Sequence, residues 1–298
     1  MKTALLFPGQ GAQFVGMGQV LYEQHSIARE FYDKADRILG FPLTKFCFTG
    51  PEEELNKTNI CQPALLVTSY VAMKVLKFAG GLPEWNCAAG LSLGEYTALA
   101  VSGALSFEDA IRIVERRGAF MQEDCNKVRS TMASVTGGLD RKKIEEVLAT
   151  INGIVVVANL NSPGQIVISG EVGAIQQASE KLVQAGARKV TVLKVAGAFH
   201  SPLMKTAETR LGAELAKINI KMPTNAVISN VTADYVKTPE EIRNNLSRQV
   251  SNPVLWADSM QRLINDGFDN FYEIGPGKVL SGLMLRINPK MKTLNFPE

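Results

Sequence analysis

Apolar residues follow two rhythms along this chain. Thr3-Ala4-Leu5-Leu6-Phe7 and Asn86-Cys87-Ala88-Ala89 are short continuous runs, stopped by Pro8-Gly9 and by Gly90. Such runs predict buried strands. Longer segments predict helices. One covers residues 62–78, with Pro63 expected in its first turn. Another covers residues 94–102. A third starts at Phe107, behind the S-x-x-D cap of Ser106 and Asp109, and Thr238, Pro239 and Glu241 cap a fourth in the same way. Strands alternating with helices predict an α/β fold with a largely parallel sheet.

The middle of the chain has a different grain. Residues 131–136, 155–157, 165–169 and 189–195 read as strands. Ile144, Val147, Leu148 and Ile151 share one helical face between the first two strands. Ile175, Ala178 and Leu182 share another between the last two, and Gly186 ends that helix. The order βαββαβ is that of a split βαβ, ferredoxin-like unit. The expected organisation is a small domain, residues 127–194, inserted into a large one made of residues 1–126 and 195–298.

Composition narrows the functional classes. Of the 298 residues, 46% are hydrophobic and 20% charged, an ordinary globular balance. The net charge is +3, from 32 basic and 29 acidic residues, and no basic run occurs. Nucleic acid is therefore not an expected partner. No apolar run is long enough to span a bilayer. Met1-Lys2-Thr3 leads directly into a strand, without the apolar core of a signal peptide. Cys47, Cys61, Cys87 and Cys125 form no C-x-x-C pair and no zinc spacing. The expectation is buried reduced thiols, no metal, no membrane and a cytoplasmic location.

The candidate chemistry centres on Gly90-Leu91-Ser92-Leu93-Gly94, a G-x-S-x-G sequence between a strand and a helix. In a nucleophile elbow the two glycines allow a tight turn that lifts the serine hydroxyl above the sheet. The plainer alternative is a serine that caps a helix. A serine nucleophile needs a base, and the chain has two histidines. His25 lies in a polar stretch between helices and reads as a surface residue. His200 lies in Ala196-Gly197-Ala198-Phe199-His200-Ser201-Pro202, just after a strand, where an α/β site has its rim. No aspartate is nominated by spacing to orient it; Asp258, Asp266 and Asp269 read as helix-surface or turn residues. The backbone N–H of Leu93 is one candidate oxyanion donor, and the loop Pro8-Gly9-Gln10-Gly11 fits the second. That loop lacks the Lys-Ser/Thr of a phosphate loop. Arg117 has Ile113, Val114, Phe120 and Met121 at three and four residues, so it sits on an apolar stripe. A buried guanidinium needs an acceptor: a structural acid or a substrate carboxylate, between which helical spacing does not choose.

Taken together, these residues resemble the malonyl-CoA:acyl carrier protein transacylase family, within the acyltransferases of fatty acid and polyketide synthesis. The resemblance spans essentially the whole chain. It rests on Phe7-Pro8-Gly9-Gln10-Gly11, Gln62-Pro63-Ala64, Ser92-Leu93-Gly94-Glu95-Tyr96, Arg117-Gly118 with Met121-Gln122, Asn159-Leu160-Asn161-Ser162-Pro163-Gly164-Gln165 and Gly275-Pro276-Gly277. It implies an α/β-hydrolase-like large domain and a ping-pong transfer without a cofactor, in which malonyl-CoA is a substrate. Ser92 would be acylated and His200 would move its proton. The N–H groups of Gln10 and Leu93 would form the oxyanion hole. Arg117 would bind the malonyl carboxylate, with Gln62, Phe199 and Gln249 as further substrate-binding positions. The family orients its histidine by a backbone carbonyl, here at Gln249. Acyl carrier protein is the implied partner and a monomer the implied state. One position departs: Leu91 stands where the family usually carries histidine. An acyl hydrolase of the same fold and a non-catalytic binding module are the rival readings.

Overall fold

The short apolar runs do pair as strands. The computed structural model describes residues 2–296. Among them are β1 (Lys2–Phe7), β2 (Cys87–Gly90), β3 (Ser130–Thr136), β4 (Val155–Ser162), β5 (Gln165–Glu171), β6 (Lys189–Val192), β7 (Ala226–Val227), β8 (Phe268–Ile274) and β9 (Lys292–Phe296). Five form a wholly parallel sheet in the order β7-β2-β1-β8-β9. The other four form an antiparallel sheet in the order β4-β5-β3-β6.

The parallel sheet explains why its strands are apolar throughout rather than alternating. Leu5 and Phe7 join one apolar cluster, with the helices Thr58–Phe78, Gly94–Val101 and Phe107–Lys127. Ala4 and Leu6 join another, with Trp256, Met260 and Leu263 of one helix and Leu280 and Met284 of the next. A parallel sheet covered on both faces buries both sets of side chains. β1 and β2 run in register, with Phe7 beside Gly90. The loop after β1 and the turn after β2 therefore leave the same edge of the sheet side by side. All four cysteines are buried and free. Among the described residues, no helix is long and apolar enough to cross a membrane.

The antiparallel sheet has two different faces. Ala133, Val135, Val157, Ile166 and Ile168 pack under the helices Arg141–Leu148 and Val172–Gln184. Met132 and Val167 point the other way and join the main cluster with Met121 and Phe199. The sheet thus acts as one wall over the carboxyl end of the parallel strands.

Element boundaries differ from expectation in several places, among them the strand expected over residues 155–157, which runs on to Ser162. The helix expected from residue 62 begins at Thr58, so Pro63 lies inside it rather than in its first turn. The ring removes only the bond to the carbonyl of Asn59, in the opening turns, where the chain tolerates the loss. Ile151 lies beyond the end of its helix at Leu148. The strand expected over residues 189–195 ends at Val192; beyond it, the N–H of Leu193 still reaches the carbonyl of Met132.

The elbow glycines are fixed by packing. A Cβ on Gly94 would lie 2.1 Å from the carbonyl oxygen of Phe7, whereas one on Gly282 would meet nothing within 4 Å. Gly94→Ala is expected to destabilise the protein by about 3 kcal/mol. Gly282→Ala, inside a helix, should stabilise it by about 0.5–1 kcal/mol. Urea unfolding of the two variants checks both signs.

Candidate active site

Ser92 sits at the tip of the turn after β2 with φ 51°, in the left-handed region. A non-glycine residue held there is strained, and surrounding bonds must fix it. Asn230 Oδ1 accepts from its N–H at 2.6 Å, and Gln249 Nε2 donates to its carbonyl at 3.0 Å. Asn230 follows the β7 edge of the sheet, and its Nδ2 donates to the Gly90 carbonyl at 2.8 Å. The elbow is thus clamped from the neighbouring strand end.

His200 is the second described non-glycine residue in this set, with φ 58°. Its loop is tied down by Ser169 Oγ donating to the Phe199 carbonyl, Ser201 Oγ to the Ala198 carbonyl, and the His200 N–H to the Val250 carbonyl. Nδ1 lies 2.8 Å from the carbonyl oxygen of Gln249. A carbonyl only accepts, so Nδ1 carries the proton and Nε2 presents its lone pair. That lone pair faces Ser92 Oγ at 2.9 Å. Only 4% of His200 is exposed. Burial, reinforced by the Arg117 charge and opposed by the Gln249 carbonyl, pulls its pKa down to about 4. The ring is therefore neutral at neutral pH, ready to accept a proton from Ser92.

Arg117 approaches the same hydroxyl from the opposite helix. Its Nη2 donates to Ser92 Oγ at 3.0 Å and to Gln249 Oε1 at 2.9 Å, and its Nη1 to Gln62 Oε1 at 2.7 Å. The next residue, Gly118, makes this approach possible: a Cβ there would lie 2.7 Å from the Thr58 carbonyl oxygen. The helices carrying Arg117 and Gln62 therefore touch backbone to backbone. Arg117 is 1% exposed, its Nε has no partner, and it lies 5.4 Å from the Tyr96 ring centre. Among the described residues, no carboxylate forms an ion pair with it. Of the two acceptors that helical spacing left open, a structural acid is present only at one remove: Glu95 acts on the guanidinium by charge, across the Gln249 amide, and no carboxylate touches it.

Ser92, His200 and Arg117 border a cavity of about 160 Å³, which Gln10, Leu93 and Phe199 also line. The N–H groups of Gln10 and Leu93 donate to no protein acceptor among the described residues. Gly9 has to be glycine, since a Cβ there would lie 2.3 Å from the Leu91 carbonyl oxygen. Leu91 itself borders the cavity and packs against the cluster containing Trp256. Asn159 and Asn161 supply polar wall, and Gly275, with φ 128°, backs the loop at Pro8.

The structure therefore brings together Ser92, His200, Arg117, Gln62, Gln249, Gln10, Leu93 and Phe199. It leaves His25 half-exposed between two helices, and Asp266 paired with Arg262. Two site residues were missed by the sequence reading. Asn230 has a usable signal, the polar pair Ser229-Asn230 that ends the apolar run Ala226-Val227-Ile228. Glu95 lies within a motif already singled out but was given no role. It is fully buried, and its Oε2 accepts from Gln249 Nε2 at 2.6 Å and from the Asn230 N–H at 3.1 Å. Burial pushes its carboxyl up to about 7, against those two hydrogen bonds. Among the described residues, no group of three His, Cys, Asp or Glu side chains converges as a metal site.

Comparison with known proteins agrees across the whole length. The family described as acyl transferase domain matches residues 4–286. The malonyl CoA-acyl carrier protein transacylase of Bacillus subtilis (strain 168) is 44% identical over 296 residues, 98% of this chain and 92% of that protein. The enzyme of the same name from Escherichia coli (strain K12) is 41% identical, over 96% and 93% of the two chains. The solved structure of the Coxiella burnetii transacylase superposes with a TM-score of 0.96 at 36% identity, covering 99% of this chain and 94% of that one. A malonyl-transacylase in complex with its type II PKS acyl-carrier protein superposes at 0.95 and 37% identity, over 99% and 96%.

The His200 environment has a direct signature. An NMR titration of its ring is expected to give a midpoint near 4, well below the ordinary 6.5; a midpoint at 6.5 would contradict the buried neutral ring. The linked stability has a definite sign. As pH falls from 6.5 toward 4, the unfolded chain takes up this proton and the folded chain does not, so stability is lost in that window. Glu95 acts in the opposite sense, since the stability it contributes is lost as pH rises from 4.5 through 7.

Proposed function

This chain belongs to the acyl transferase family, and on that premise we propose that it moves a malonyl group from malonyl-CoA to the phosphopantetheine thiol of acyl carrier protein, for fatty acid biosynthesis. The observation that carries this reading is the placement of Ser92 Oγ between His200 Nε2, at 2.9 Å, and Arg117 Nη2, at 3.0 Å. A nucleophile and its base alone fit any acyl ester. A buried guanidinium that makes no ion pair, on the same oxygen, fits an acyl group that brings its own carboxylate.

The steps follow from the geometry. Ser92 Oγ attacks the thioester carbon while its proton passes to His200 Nε2. The negative oxygen of the tetrahedral intermediate is taken up by the free N–H groups of Gln10 and Leu93. Collapse breaks the C–S bond, and His200 returns the proton to the departing CoA thiol. The carrier thiol then gives its proton to His200 and attacks the Ser92 ester, and the same steps in reverse free the serine. One thioester is exchanged for another, so the reaction balances without redox chemistry.

The malonyl carboxylate would take the Arg117 Nη2 donor now spent on Ser92. It would offset the charge that depresses His200, and so raise the basicity of the ring when the correct acyl group is bound. Gln62 and Gln249 hold the guanidinium from behind, and Phe199 narrows the cavity beside the acyl carbon.

The larger unit, residues 1–126 and 195–298, reads as α/β-hydrolase-like. The strand–elbow–helix at Ser92 supports this. Residues 127–194 read as an inserted ferredoxin-like domain, supported by the order β4-β5-β3-β6 and by two helices on one face. Every group in the mechanism comes from one chain, which suits a monomer. Four free buried thiols suit the cytoplasm.

Brief exposure to malonyl-CoA should add one malonyl group to the protein by intact mass, and Ser92→Ala should abolish the adduct. Release of free malonate, with no acylation of carrier protein, would point instead to a hydrolase. Arg117→Ala is expected to lower malonyl kcat/KM by about 100-fold or more, because a desolvated carboxylate pair is lost. Acetyl transfer should gain relative to malonyl, and an unchanged preference would remove Arg117 from the carboxylate role.

A further inference from the structure

Gln249 is the most connected side chain of the site, and its amide has a direction. Oε1 accepts from Arg117 Nη2 at 2.9 Å. Nε2 donates to the Ser92 carbonyl at 3.0 Å and, more closely, to Glu95 Oε2 at 2.6 Å. Turned end for end, the amide would set two donors against each other at Arg117 and two acceptors against each other at Ser92. Its orientation therefore decides whether the guanidinium is held where it can meet an acyl carboxylate.

Glu95 stands directly behind this amide. It is fully buried and has no ion-pair partner among the described residues. Its Oε2 also accepts from the backbone N–H of Asn230 at 3.1 Å. A backbone N–H only donates, so Oε2 is an acceptor whatever the charge on the carboxyl group. An ionised Glu95 carboxylate can only accept, so the end of Gln249 that shares Oε2 is then Nε2, which sends Oε1 toward Arg117. Asn230 in turn holds the Ser92 N–H. A buried acid whose nearest guanidinium, Arg117, is held off by an intervening amide is costly to keep, and packing alone does not call for one.

We propose that Glu95 is a positioning residue for acyl selection: it fixes the direction of the Gln249 amide, and through it the aim of Arg117. This rests on the reading of Arg117 as the carboxylate clamp. The arrangement also explains why the acid and the guanidinium are separated by an amide. A direct pair would occupy the donors that the substrate needs, whereas one intervening amide lets the acid orient Arg117 and leaves those donors to the acyl group. His200 is oriented by the Gln249 main chain, which does not depend on this relay.

The test compares malonyl-CoA with acetyl-CoA on wild type, Glu95→Met and Glu95→Gln, each checked by its melting temperature. Glu95→Met keeps the volume and removes the acceptor. It should lower the malonyl-to-acetyl ratio of kcat/KM about ten-fold, the scale of one charge-assisted hydrogen bond, with the loss mainly in KM for malonyl-CoA. Glu95→Gln keeps an acceptor oxygen and should restore most of the ratio. If the methionine variant does not fold, Glu95→Ala, which leaves room for water, carries the same expectation. The proposal is overturned if the ratio is unchanged, or if both substrates lose equally. A wild type that forms no malonyl adduct would instead sink the clamp reading itself, and the two failures are told apart by that control.

Discussion

A guanidinium withdrawn from water with no carboxylate in contact with it is the constraint around which this site is built. Removing a charge from solvent costs several kcal/mol unless polar groups replace the lost water. At Arg117 they are the neutral oxygens of Gln62, Gln249 and Ser92. Each comes from a different element: the helix Thr58–Phe78, the helix Pro239–Gln249 and the elbow after β2. Holding one cation therefore fixes three elements against the helix Phe107–Lys127. Burial first, and then this same charge, hold the His200 pKa down, so the group that faces the acyl carboxylate also bears on basicity.

Much of this was legible in the sequence, for identifiable reasons. The Ser92 elbow is a local device, written in two glycines and a flanking strand, and packing leaves those glycines no alternative. Arg117 was legible as an anomaly, because helical spacing shows what surrounds a side chain even when it does not show the partner. The absence of a suitable aspartate near His200 was also a correct signal, since the orienting group is main chain. Asn230 and Glu95 were not read, because their partners lie more than a hundred residues away in sequence, at Ser92 and Asn230. The helix start at Thr58 was misplaced because proline marks a first turn in most sequences, and here contact with Gly118 continues the helix four residues further back.

The two sheets divide the labour. The parallel sheet brings Ser92, Gln10 and Asn230 to one edge by register alone, since neighbouring parallel strands end together. The antiparallel sheet supplies no hydrogen bond to Ser92 Oγ. It contributes Met132 and Val167 to the cavity wall, and its last strand leads into the loop that carries His200. The edge of the parallel sheet thus holds the nucleophile, while the base sits in the loop that follows the last antiparallel strand.

The carbonyl that orients His200 belongs to the backbone of Gln249. Every amino acid carries that atom, so no codon change at position 249 can delete it. Mutation there reaches the hold on Arg117 and one of the bonds that fix the Ser92 elbow, but leaves the His200 ring its anchor. The orientation of the base is thus the one part of the site that substitution of the side chain at position 249 does not reach.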